Sequence, residues 1–321
     1  MLSTTPGVLA TGLSKRYGDN WALRGVDLNV PAGSVLGLLG HNGAGKTTAI
    51  RILTTLAAPT EGRGEVAGFD VVRDAAAVRA QIGLAGQYAT VDGLLTARKN
   101  LDLAGRLYHL PREVIRRRSE ELLERVGLTD VADDLVRTYS GGMRRKLDLA
   151  ASLIATPPVL FLDEPTTGLD PQSRNDLWEL LRELVADGAT LVLTTQYLEE
   201  ADRLADQIVV LDHGRVAATG SPAELKARVG GERLEVTVPD PDDLEPTAAA
   251  LAPFADTAPT TSDGCVVVPI AADIRLIELV RALDAADVDA IDIRRREATL
   301  DDVFLTLTAG TTPAPVEVLV P

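Results

Sequence analysis

The chain has 321 residues, 45% of them hydrophobic, and a net charge of −15, which suits one large and one small globular domain and argues against disorder. A single cysteine, Cys265, excludes an internal disulfide and a Cys-rich metal centre, and the three histidines (His41, His109, His213) are too few and too scattered to predict a metal cluster. From Gly231 onward there are 18 acidic residues against 6 arginines, which reads as a solvated surface, and so acidic a chain predicts no nucleic-acid partner. No apolar stretch approaches the ~20 residues of a membrane span. Residues 1–7 lack the basic-then-apolar pattern of a secretory signal. Both features predict a cytosolic protein with no membrane span of its own.

In chain order, residues 8–17 and 26–30 predict antiparallel strands, with Pro31-Ala32-Gly33 turning the chain. Residues 34–39, 159–163, 190–194 and 207–211 are short, apolar and rich in Leu or β-branched residues, the pattern of buried parallel strands. Each runs into a polar loop (40–48, 164–170, 195–200 and 212–215), and ligands of open α/β sheets sit at the carboxyl ends of strands, so the loops are expected to converge. Residues 87–156 are mostly helical in pattern and predict an inserted helical subdomain. Gly230-Gly231 marks a boundary, dividing the chain into domains of residues 1–230 and 231–310 and a tail of residues 311–321.

Within the second domain the expected order is strand 233–238, helix 244–254, strands 257–261 and 266–270 around Ser262-Asp263-Gly264, helix 274–286 and strand 290–294. That β-α-β-β-α-β order is the ferredoxin-like split motif. A last helix, 300–308, follows.

Gly40-His41-Asn42-Gly43-Ala44-Gly45-Lys46-Thr47-Thr48 fits G-x-x-x-x-G-K-[ST] between a strand and a helix. Glycines let successive N–H groups curl toward phosphates, and the helix N-terminus adds its positive dipole end. Lys46 can reach the β- and γ-phosphates of ATP, and the Thr47 hydroxyl can ligate Mg²⁺. Val159–Asp163 plus Glu164 is an apolar strand ending in two acids, costly beside a core unless they have a task. Asp163 fits as the Mg²⁺ partner of Thr47, and Glu164 as the group that polarises the attacking water.

Tyr139-Ser140-Gly141-Gly142-Met143-Arg144-Arg145-Lys146-Leu147 resembles the signature sequence of ABC ATPases. Ser140 can donate a hydrogen bond, Gly141 and Gly142 permit close backbone approach, and a helix begins there with free N–H groups. It is a second phosphate site in a chain that already has one. In ABC ATPases that second site faces the partner subunit's nucleotide.

The resemblance implies further roles: Gln87 as the Q-loop glutamine that senses Mg²⁺ and water, Asp170 in the D-loop along the dimer contact, and Tyr17 stacked on adenine, which any base face allows. It implies a P-loop α/β fold with an antiparallel β subdomain. Segments 86–92, 139–151, 193–202 and 300–308 resemble more narrowly the daunorubicin/doxorubicin-resistance ATP-binding subunits. These are one-domain ATPases that pair with a second ATP-binding subunit and a separate membrane permease to export drugs or lipids.

Three positions depart from the ABC pattern. Gln196 stands where a switch histidine is usual, and an amide can hydrogen-bond the γ-phosphate but cannot shuttle a proton. Met143 replaces a polar signature residue, and Lys99 a glutamate expected to face the membrane partner. Two other classes fit less well. The short stretch from Thr48 to Tyr139 leaves no room for the coiled coil of DNA-repair ABC ATPases. A single cassette in an acidic chain does not match the paired cassettes of ribosome-associated ABC proteins. A soluble regulatory ABC ATPase remains the alternative.

Overall fold

The computed structural model describes residues 6–86, 90–229, 232–256, 258–262, 264–271 and 274–308. By its internal contacts the chain divides into two compact units, Met1–Ser221 and Pro222–Pro321. Gly230-Gly231 and the tail 311–321 lie outside the described residues.

The first unit opens with strands β1 (Val8–Tyr17) and β2 (Asn20–Val30), paired through Tyr17↔Asn20 across a two-residue turn. β2 begins at Asn20 rather than at Val26. Its first residues are only partly buried and are held by main-chain pairing that an apolar pattern cannot report. β3 (Val35–Leu39), helix α1 (Lys46–Leu53), β4 (Glu61–Val66), β5 (Phe69–Asp70), α2 (Ala75–Gln81) and β6 (Ile82–Ala85) follow. Then come the helices α3 (Ala97–Leu107), α4 (Arg112–Arg125) and α5 (Gly141–Ser152). The unit closes with β7 (Val159–Asp163), α6 (Pro171–Ala186), β8 (Thr190–Thr195), α7 (Leu198–Leu204), β9 (Gln207–Asp212) and β10 (Arg215–Gly220).

Two sheets result. The antiparallel one has the order β2-β1-β4-β5. The other has the order β10-β9-β3-β8-β7-β6, parallel except for edge strand β10. β3, β7 and β8 are buried along their whole length, as expected of strands covered on both faces. Alternate residues of this sheet (Leu36, Leu38, Val159, Phe161, Val192, Val209) join Ile50 and Leu53 of α1 and Val8, Leu13, Val26 and Leu28 of the other sheet in one core. The period-2 alternation sends their neighbours to the opposite face, where Leu160, Leu162, Leu191 and Leu193 are also fully buried. This core fixes the carboxyl ends of β3, β7 and β8 side by side.

The second unit begins with α8 (Pro222–Arg228) and continues through β11 (Glu232–Thr237), α9 (Leu244–Leu251), β12 (Thr260–Ser262), β13 (Cys265–Ile270), α10 (Leu276–Ala285), β14 (Asp292–Glu297) and α11 (Leu300–Thr308). All pairings in its sheet, ordered β12-β13-β11-β14, are antiparallel. The split β-α-β arrangement is therefore the ferredoxin-like one. Leu234, Val236, Val266, Val268, Leu279 and Leu283 form its core.

The motif around residues 300–308 has a physical basis. Thr299 Oγ1 and Asp302 cap the start of α11 reciprocally, Thr299 N donating to Asp302 Oδ2 at 2.7 Å and Asp302 N to Thr299 Oγ1 at 3.4 Å. Asp302 also receives Arg296 at 2.6 and 3.2 Å, and Arg296 Nε reaches Glu235 of β11 at 2.5 Å.

Candidate functional site

The loop between β3 and α1 is shaped by glycines that nothing larger could replace. Gly40 has φ +153°, and a Cβ there would sit 2.4 Å from Leu211 O; Gly45 has φ +111°, and its Cβ would sit 2.6 Å from Ala22 O. Gly45 is also the residue before the first turn of α1, which starts with Lys46 and leaves its early N–H groups pointing out of the helix. Lys46 is 5% exposed and its Nζ donates to Gly40 O at 2.6 Å and His41 O at 3.1 Å. Burial pushes its ammonium below the ordinary lysine value, opposed by Glu164 and Asp163. A cation held by two backbone carbonyls of the loop, within the field of two carboxylates, can take up a polyanion.

Asp163 closes β7 and Thr194 lies opposite it in β8. Thr194 Oγ1 donates to Asp163 Oδ1 at 2.5 Å, and Thr47 Oγ1 donates to the same oxygen at 3.3 Å. An Asp carboxylate beside a hydroxyl at a phosphate loop is an all-oxygen donor set that suits a hard cation such as Mg²⁺. The next residue, Glu164, adopts φ +51°, a left-handed conformation that costs a non-glycine residue roughly 1–2 kcal/mol. Its N–H is held by Thr194 O at 3.1 Å and Thr194 Oγ1 at 3.0 Å. Strain of this kind persists where the surroundings over-determine it. Here it turns the Glu164 side chain into the cleft instead of along the strand.

Tyr17, Asn42, Gly43, Gly45, Lys46, Thr47, Thr48 and Glu164 line one cleft of about 270 Å³, so the structure brings these expected site residues together. Tyr17 is 48% exposed, with Lys15 Nζ 5.2 Å from its ring centre. Ala44 is buried and can contribute only main chain, while the His41 ring turns to Asp212. Gln196 is exposed at the end of β8 and does not line the cleft. Gln87 lies outside the described residues.

Ser140, Gly141, Gly142 and Asp170 also stand apart from the cleft lining. Ser140 is the N-cap of α5, its Oγ accepting from Met143 N at 3.1 Å, and is exposed. A Cβ on Gly142 would fall 2.6 Å from Ser173 Oγ, so a larger residue there would displace the Ser173 hydroxyl at the start of α6. Asp170 caps α6, accepting from Ser173 Oγ at 2.7 Å and Ser173 N at 2.9 Å, which holds its carboxyl below the ordinary value.

Sequence reasoning missed Thr194, whose residue type is ordinary in a strand, and two charges on α5. Arg145 donates to Pro165 O at 2.8 Å, to Asp163 O at 3.2 Å and to Gly86 O. Asp148, 1% exposed, accepts from Thr90 N at 2.7 Å and Thr90 Oγ1 at 2.6 Å and faces Arg145 at 3.7 Å. The helix that opens with Ser140 thus anchors both flanks of the Gln87 segment and the end of β7.

Comparison with known proteins agrees with this geometry. The ABC transporter family profile matches residues 23–167. A daunorubicin resistance ATP-binding protein of Streptomyces coeruleorubidus is 52% identical over 94% of this chain and 95% of its own. The daunorubicin/doxorubicin resistance ATP-binding protein of Streptomyces peucetius is 46% identical over 95% of this chain and 93% of its own. Among solved structures, the dimeric ATP-binding cassette MJ0796, in a post-hydrolysis state with ADP and Pi, superposes with a TM-score of 0.61 at 28% identity, covering 67% of this chain and 98% of that one. A phosphate loop joined to a paired-acid strand, a capped signature helix and nearly full-length similarity lead to one conclusion: the chain is an ATP-hydrolysing member of the ABC transporter ATP-binding proteins and belongs to their daunorubicin/doxorubicin-resistance group.

Proposed function

We propose that the chain powers export of a drug-like or lipid-like compound through a separate membrane permease, working as a pair of ATP-binding subunits at the cytoplasmic face of the membrane. The observation that carries this reading is the separation of two phosphate-binding elements. Lys46, Thr47 and Glu164 share one cleft, with Asp163 behind it accepting from Thr47, while Ser140 caps an exposed helix start that does not line it. A second copy, closing head to tail, would bring its Ser140 helix to this cleft and complete two sites at once. No described helix is long and apolar enough to cross a membrane, and in this reading the pore belongs to the permease.

Within each site Lys46 and the N–H groups of the loop would hold the β- and γ-phosphates, and Tyr17 would offer a face to the adenine. Thr47 and Asp163 would hold Mg²⁺, with Gln87 as a further candidate; the ion, when bound, supplies charge neutralisation on the phosphate oxygens. Glu164 would orient and deprotonate the attacking water, with Gln196 offering an amide hydrogen bond to the γ-phosphate. Most of the rate gain is then positional and electrostatic. Residues 222–308 serve assembly or regulation in this reading.

Glu164→Gln tests it. Turnover should fall by about 10²–10⁴-fold while ATP binding persists and a dimer accumulates in size-exclusion chromatography. Lys46→Ala should instead weaken nucleotide binding. A Glu164→Gln variant hydrolysing ATP near the native rate removes Glu164 from this role.

A further inference from the structure

Two of the three histidines, distant in sequence, meet beside the phosphate loop. β9 and β10 are joined by His213-Gly214, with Asp212 paired to Arg215 across them. His213 has φ +44° and Gly214 φ +77°, the two positive values of a type I′ turn, which ordinarily favours Asn or Asp first. Turn chemistry therefore tolerates an imidazole here without requiring one. The turn is fixed against the phosphate loop, because Gly214 N donates to Ala44 O at 3.0 Å. His41 Nε2 lies 3.1 Å and His213 Nε2 3.8 Å from the same oxygen, Asp212 Oδ1. The three ligand atoms all fall within 4.8 Å of one another, and the two rings are 5.1 Å apart.

His41 adds a second observation. Its Nδ1 faces Asn42 O at 2.7 Å and its Nε2 faces the Asp212 carboxylate. Both partners are acceptors, and a neutral imidazole has one N–H. With Nδ1–H donating to the backbone carbonyl, as metal-binding histidines commonly do, the Nε2 lone pair points at a carboxylate oxygen. That contact is repulsive unless a cation, a proton or a metal ion, sits between them.

We propose that His41, Asp212 and His213 bind a divalent transition-metal ion of the zinc class, which ties the phosphate loop to the β9–β10 turn and slows ATP turnover. Around tetrahedral zinc with ligand bonds of ~2.0–2.1 Å, ligand atoms stand about 3.3–3.5 Å apart, between the two observed separations. Two nitrogens and one carboxylate oxygen suit zinc, cobalt or nickel and disfavour Mg²⁺, which wants six oxygens. The three side chains are 36%, 20% and 68% exposed, open enough for the ion to enter and for water to take the fourth position. His41 belongs to the loop whose N–H groups curl around phosphate, so fixing its ring restrains the loop during nucleotide exchange.

The test uses the full-length chain, untagged, without nucleotide and in excess Mg²⁺. Zinc is titrated against a chromophoric chelator, and cobalt is followed by its visible absorption. One equivalent should bind with micromolar affinity, weakened about tenfold or more in His213→Gln and in Asp212→Asn. Zinc should inhibit ATP hydrolysis by the native chain, and His213→Gln should relieve that inhibition while hydrolysing ATP at the native rate without zinc. No stoichiometric uptake, with a proton alone serving His41, would overturn the site, as would uptake undiminished in His213→Gln. Uptake that depends on His213 but leaves hydrolysis untouched would overturn the restraint on the loop.

Discussion

In the first unit, Lys46, Asp163 and Glu164 meet at strand ends with one backbone strained, one ammonium desolvated and few partners beyond hydroxyls and carbonyls. In the second, Asp302 is just as enclosed, at 11% exposure, yet it receives a fork of two bonds from Arg296 and one from Thr299 N, and Arg296 also holds Glu235. The first arrangement leaves charge available for a ligand and for water. The second spends it on holding a helix to a sheet. Where buried charge is matched inside the fold it builds structure, and where it is left under-matched it marks the place for an external polyanion.

The largest expected effect breaks the catalytic side of that contrast. Glu164→Gly should lower turnover as far as is expected of Glu164→Gln, yet raise stability by up to about 1 kcal/mol in thermal denaturation, because glycine adopts φ +51° without strain. A destabilised Glu164→Gly variant would mean the backbone there is not under load. Next comes Arg145→Met, which leaves Asp148 buried without its cation. The expected loss is about 3–5 kcal/mol in a urea titration of the first unit, and a loss below 1 kcal/mol would show the pair to be solvated. Asp302→Asn should cost the second unit about 1–2 kcal/mol by removing charge-assisted bonds and part of a helix cap.

The smallest effect is a difference in sign with pH. Burial pushes the Glu200 carboxyl above its ordinary 4.5, despite the bonds it accepts, including one from Trp178 Nε1 at 3.2 Å. The native chain then holds a proton that the unfolded chain releases, so the first unit loses stability as pH rises through that window. Burial also pushes Asp302 up, but Arg296 and Thr299 outweigh it and hold it below its ordinary 3.8. Its contribution is present above that value and fades as pH falls through the lowered one. Glu200→Gln should flatten the first dependence and leave the second. Parallel slopes in the two units would remove the comparison.

What was legible in the sequence follows chain contiguity. The loop from Gly40 to Thr48, the acids after β7 and the cap at Ser140 are each local arrangements, complete within a few residues. The strand order β10-β9-β3-β8-β7-β6 is not contiguous. Thr194 acquires its role only because β8 lies beside β7, and His213 only because the β9–β10 turn rests on Ala44. Three scattered histidines gave no reason to expect two of them in contact. The early part of β2 escaped notice because its residues are held through main chain rather than by apolar faces.

Arg145 has a consequence for how the molecule opens. One guanidinium donates to the carbonyls of Gly86, Asp163 and Pro165, at the exit of β6, the end of β7 and the loop beyond it. Two strand-end segments far apart in sequence, at Gly86 and at Asp163–Pro165, therefore share a single fastening. In native-state hydrogen exchange the amides around them should open as one cooperative unit rather than as two local ones. Asp163, Glu164 and the flank of the Gln87 segment should then fold and unfold together, and a nucleotide that stabilises one of them should protect the others.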